Sequence, residues 1–175
     1  MSYSLVPYQI DLAKLRDAVG GQDTQLIESI RAQDPERFDS DEYELTLGEA
    51  LKQLVMGEEL GTQATHQYGY ALEKMAEQLG QRLPFDLWCG VRWAAMEDSG
   101  VAPILESGPP VPLPKIPDFP GIGFLERDKI ATMVTTMGEE GLTDDDEDLE
   151  ELLKEFEEWL RAADNAKQDL LLFYY

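Results

Sequence analysis

The chain has 175 residues, 36 acidic against 14 basic, and a formal net charge of -22. That balance excludes the usual route to DNA, RNA or an anionic membrane, which neutralises phosphates with lysine and arginine, so no nucleic acid and no membrane partner is expected. A basic protein partner fits the sign.

A hydrophobic fraction of 43% with three tryptophans suffices for one packed core, since folding at this length buries roughly 70% of the surface of the unfolded chain. Residues 1–175 are therefore read as a single acidic domain. The lone cysteine, Cys89, cannot close an internal disulfide. The opening MSYSLVPYQIDL has no basic region followed by a long apolar run, and no apolar stretch approaches the ~20 residues that span a bilayer. The expected compartment is the cytoplasm.

The first segment, YSLVPYQI, mixes aromatic and β-branched residues as a half-buried strand does, and Pro7 restricts it to an edge, an end or a bulge. Asp11 then caps a short helix with Leu12, Leu15, Ala18 and Val19 on one side, and Gly20-Gly21 gives a left-handed exit. A second helix is predicted over Asp23 to Ala32, with Leu26, Ile27 and Ile30 on one face and Pro35 closing it. Asp34 to Glu44 reads as a polar surface connection. Thr46 and Glu49 form a capping box ahead of Leu47, Ala50, Leu51, Leu54 and Val55.

From Thr62 to Leu79 the residues Tyr68, Ala71, Leu72, Met75, Ala76 and Leu79 make a continuous apolar stripe, the best candidate for a central helix. The run FDLWCGVRWAAMEDSG favours helix over strand, although Gly90 interrupts it. Residues 107–123 carry six prolines and further glycines, so no regular element is expected there. The stretch reads as a long ordered crossover rather than a linker between domains. FLERDKIATMVTTMG is read as helix with Ile130, Met133, Val134 and Met137 inward. The final DLLLFYY is apolar throughout, the pattern of a strand buried on both faces, and its most plausible neighbour is the N-terminal strand. The fold class is α+β: mostly helical, with a small sheet that brings the N- and C-terminal strands together.

Between Gly141 and Leu160 lie ten acidic residues and one lysine. Asp144, Asp146, Asp148 and Glu155 match positions 1, 3, 5 and 12 of an EF-hand loop. Leu149 stands where that loop needs a sharply turning glycine. The same residues also carry a helical apolar stripe, Leu149, Leu152, Leu153, Phe156, Leu160 and Ala163. A helix capped by Thr143, with Asp144 to Asp146 in its first turn, is the preferred reading. Glu150, Glu151, Glu155, Glu157 and Glu158 then lie mainly on the face opposite the stripe, and Glu150, Glu151, Glu157 and Glu158 are the candidate partner-binding residues.

Catalytic chemistry finds little material. A thiol–imidazole pair would have to join Cys89 to His66, with no nucleophile signature around the cysteine, and a buried structural thiol is the reading for Cys89. One histidine and one cysteine cannot assemble an ordinary zinc site. Gly121 and Gly123 in FPGIGFLE make no dinucleotide fingerprint. The PxxP spacing at Pro109–Pro112 and Pro114–Pro117 fits a polyproline ligand only loosely. No catalytic, cofactor or metal residue is assigned.

The segments SYSLVPYQIDLAKLRDAVG and SGPPVPLPKIPDFPGIGFL, with the acidic helix running into LLLFYY, resemble the YfbM-like group of bacterial proteins of unknown function. The resemblance implies a compact α+β domain in the bacterial cytoplasm and brings no catalytic residues with it. The functional expectation is a non-enzymatic, immunity-like or regulatory protein that engages a basic partner. The alternative is a hydrolase-type enzyme using carboxylates in a cleft.

Overall fold

The computed structural model describes residues 4–40, 42–84, 101–140 and 147–175. Strands β1 (Leu5–Ile10), β2 (Gln81–Arg82), β3 (Gly121–Leu125) and β4 (Asp169–Tyr174) form one antiparallel sheet in the order β2-β1-β4-β3. The first and last strands meet at its centre, Leu5 opposite Tyr174 and Ile10 opposite Asp169. Eight helices surround it among the described residues: α1 (Leu12–Ala18), α2 (Thr24–Arg31), α3 (Pro35–Phe38), α4 (Leu47–Met56), α5 (His66–Leu79), α6 (Val101–Glu106), α7 (Arg127–Glu140) and α8 (Glu147–Ala166). This is a mixed α+β fold, as the pattern of apolar residues predicts.

The uninterrupted apolar run of β4 has a direct explanation. Its alternate side chains serve two cores: Leu170, Leu172 and Tyr174 pack with α6, α7 and α8, while Leu171 and Phe173 pack with α1 to α5. A strand covered on both sides needs no polar face. Burying a large apolar side chain contributes roughly 1.5–3 kcal/mol, so the five buried residues Leu170 to Tyr174 anchor both layers at once.

Local chemistry sets the helix starts. The Asp11 carboxylate accepts from Ala13 N at 3.0 Å and Lys14 N at 3.2 Å. The capping box is complete: Glu49 N donates to Thr46 Oγ1 at 3.1 Å and Thr46 N to Glu49 Oε2 at 3.0 Å. Gly20 takes positive φ at the predicted exit after α1, and Gly57 does the same at the end of α4. Asp169, at the start of β4, accepts from Leu12 N and Arg127 N, each at 2.9 Å, and so ties the first turns of α1 and α7 to the sheet.

Four expectations are corrected. Pro7 lies in an interior strand, not at an edge. Ser4 and Tyr175 exchange both backbone hydrogen bonds, so by antiparallel alternation the backbone groups of Pro7 face β2. Its missing donor falls where the neighbour is only two residues long. Pro7 O still accepts from Leu83 N at 2.9 Å. Second, Pro35 does not close α2. It opens α3, with Asp34 as cap, and places Phe38 fully inside the core.

Third, the proline-rich segment is not irregular throughout, because Gly121–Leu125 is the edge strand β3. Gly123 is required there: a Cβ would lie 2.0 Å from Ile104 O, since α6 rests directly on the strand. The rest of the segment is ordered through Val111, which is buried, and through Leu113 and Ile116, packed against the same core. Fourth, FLERDKIATMVTTMG is strand up to Leu125 and helix only from Arg127, with Ile130 buried and Met133 and Val134 half-buried. The predicted helix over FDLWCGVRWAAMEDSG, including Cys89, lies outside the described residues, as do Thr143 and Asp144 to Asp146.

Candidate functional site

From Glu147 onward the backbone is helical, so positions 4 to 12 of the EF-hand register, ending at Glu155, lie in α8 rather than in a loop. Leu152, Leu153, Phe156, Leu160 and Ala163 are buried as the stripe predicts, joined by Trp159, whose Nε1 donates to Pro84 O at 2.9 Å. Among the described residues no group of three or more potential ligands is placed to hold a metal ion.

Glu150, Glu151 and Glu158 are exposed and Glu157 is half-buried. At about 100° per residue, Glu150 aligns with Glu157 and Glu151 with Glu158, one acidic face over two turns. Two cations share that face. Lys154 lies three or four residues from each of the four glutamates, the spacing of helical side-chain pairs. Arg161 Nε donates to Glu157 Oε1 at 2.8 Å. The face is therefore acidic but partly neutralised along its centre.

A second arrangement was not foreseen. Arg37, Ser40, Glu42, Tyr43, Leu47, Gln67 and Tyr70 line an open cleft of about 240 Å³. The 42–47 segment supplies one wall and the first turns of α5 the other. His66 sits between two tyrosines, with ring centroids 4.8 Å from Tyr43 and 5.8 Å from Tyr70, both edge-to-face. Tyr70 in turn stacks on Tyr175 at 5.8 Å. Tyr43 is 47% exposed, a large apolar surface offered to solvent.

Gln67 is only 6% exposed, and its one side-chain hydrogen bond is a long 3.4 Å contact between Nε2 and His66 Nε2. Gln67 lines the cleft, and its Oε1 accepts no hydrogen bond from the described residues while staying within reach of solvent. Behind the cleft, Glu73 accepts from Tyr8 Oη at 3.2 Å and from Tyr175 Oη. Burial, and next the Glu73 charge, raises the pKa of Tyr8 and Tyr175. Burial, with Tyr43 next, raises that of Tyr70. All three phenols stay protonated and can donate.

The carboxylates of a further cleft, lined by Asp11, Arg16, Glu126, Asp128 and Asp169 among others, are mostly engaged in structure. Asp11 caps α1, Asp169 holds two backbone N–H groups, and Glu126 pairs with Arg16 at 3.2 Å. His66 is in place for ring packing with two tyrosines. Its four-residue spacing from Tyr70 on α5 was the signal the sequence offered. Nothing in the sequence brings Tyr43 to the same helix face.

The model of a domain of unknown function, DUF7691, matches residues 1–175. The chain belongs to this family. No curated protein and no solved structure matches the DUF7691 chain. Among its described residues no helix is long and apolar enough to cross a membrane.

Proposed function

We propose that the chain is a non-enzymatic binding domain of the bacterial cytoplasm that engages a basic protein through acidic surface. The observation that carries this reading is the net charge of -22, far beyond the modest charge that solubility needs. Exposed carboxylates stand on α8, at Glu150, Glu151 and Glu158, and around α3 and α4, at Glu36, Asp39, Glu42, Glu44, Glu49, Glu58 and Glu59. Such surfaces speed encounter with a cationic partner and set its orientation. An immunity-like or regulatory role, in which a cationic protein of the same cell is neutralised, follows from the same chemistry. The resemblance to the YfbM-like group belongs to this reading and supports its fold rather than its partner.

The test is affinity purification from the native bacterium at low and high salt. A basic protein retained at low salt and released at high salt is the expected result. Recovery of only neutral or acidic proteins, held regardless of salt, contradicts the reading.

A further inference from the structure

The reading of the chain as a binder of basic proteins leaves open where affinity, as distinct from steering, would arise. Interfaces draw most of their binding energy from a few side chains seated in pockets. The cleft between the 42–47 segment and α5 has the properties of such a pocket. Its volume of about 240 Å³ suits one side chain rather than a folded element. Its lining combines the buried Leu47 with Tyr43 and Tyr70, the acid Glu42, and Gln67, whose Oε1 accepts no hydrogen bond from the described residues. Exposed Glu36 and Glu44 are close in sequence to the lining residues, while Asp39 is paired with Arg31.

We propose that this cleft receives an arginine side chain of the basic partner. The aliphatic stem lies over Leu47, and the planar guanidinium rests on tyrosine faces while donating to Gln67 Oε1 and to Glu42. Guanidinium suits this lining better than ammonium because it stacks on rings and donates in plane at the same time. Arg37 is the cation of the lining, and it makes the sign of the occupant testable: removing it favours a cationic guest and disfavours an anionic one.

The experiment titrates the full chain with a short peptide alternating glycine and arginine, and with the same peptide carrying citrulline, by calorimetry and by NMR of the Gln67 amide and the tyrosine rings. The arginine peptide is expected to bind at the cleft resonances, and the neutral citrulline peptide at least about tenfold more weakly. Tyr43→Ala should weaken binding about fivefold and Tyr43→Phe should restore it, as loss and return of an exposed cation–π contact predict. Gln67→Leu should weaken it about threefold or more. Arg37→Gln should tighten it about threefold. Wild-type affinity in both Tyr43→Ala and Gln67→Leu overturns the cleft and leaves the basic-partner reading standing. Weaker binding of Arg37→Gln overturns the arginine guest in favour of an anionic one. Absence of any binding of the arginine peptide also overturns this inference, while the salt-dependent purification decides the wider reading separately.

Discussion

Glu73 accepts hydrogen bonds from two phenols that come from opposite ends of the chain, Tyr8 in β1 and Tyr175 beyond β4. Both phenols have raised pKa values, by burial first and by the Glu73 charge second. The folded state therefore holds these protons to higher pH than the unfolded chain, whose tyrosines ionise near about pH 10. Their contribution is fully present below about pH 10 and is lost as pH rises through the folded values. Each phenol can steepen the loss by up to about 1.4 kcal/mol per pH unit. Tyr175→Phe should cost about 1.5–3 kcal/mol near neutrality, where it removes a hydrogen bond to a charged group. It should also flatten the alkaline fall in stability. Urea unfolding followed from about pH 8 to about pH 11 checks both. An unchanged alkaline slope in the variant would remove Tyr175 from the account.

At the scale of elements, the tightest fit is that of α6 on β3. The built Cβ at Gly123 falls 2.0 Å from Ile104 O and 2.5 Å from Leu105 Cα, both backbone atoms that cannot step aside alone, whereas at Gly121 the nearest neighbour is 3.6 Å away. Gly123→Ala should therefore destabilise by about 3 kcal/mol or more through forced displacement of the helix. Gly121→Ala should stay within about 1 kcal/mol. Denaturant midpoints of the two variants provide the comparison, and equal midpoints would contradict the packing described. The same strand shows why part of the fold was hidden in the sequence. Wherever one residue type carries its own cause, as Asp11, the Thr46–Glu49 pair and the apolar run of β4 do, local reading was sufficient. Strand β3 is two glycines among three apolar residues after a proline-rich run, and only the neighbouring Leu170 to Tyr174 ladder makes it a strand. Strand β2 is Gln81 and Arg82, polar residues held by pairing with Tyr8 and Gln9. The one-turn helix α3 had a readable sign, Asp34 before Pro35, a cap followed by proline at the first helical position.

For the molecule as a whole, charge was legible at once and its placement was not. The sequence predicts one acidic helix face. The structure places Lys154 and Arg161 on that face, and it brings Glu42, from the acidic stretch between Glu36 and Glu59, to the tyrosine-lined cleft. That cleft joins Arg37 to Leu47 with Gln67 and Tyr70, residues too far apart in sequence for any local pattern to unite them. In the binding proposed for this chain, α8 serves chiefly for steering and the cleft for anchoring.

The most direct test of binding through acidic surface is the association rate of the recovered basic partner with wild type and with the quadruple variant Glu150→Gln, Glu151→Gln, Glu157→Gln, Glu158→Gln, at two ionic strengths. The variant should fold nearly as wild type does, because three of the four charges are exposed and the Glu157–Arg161 helix pair that is lost contributes only a few tenths of a kcal/mol, about 0.3–0.5. Its on-rate should fall about three- to tenfold at low salt, its dissociation rate should stay close to wild type, and its salt dependence should be shallower. Identical on-rates with identical salt dependence would contradict the assignment of the α8 face to the partner.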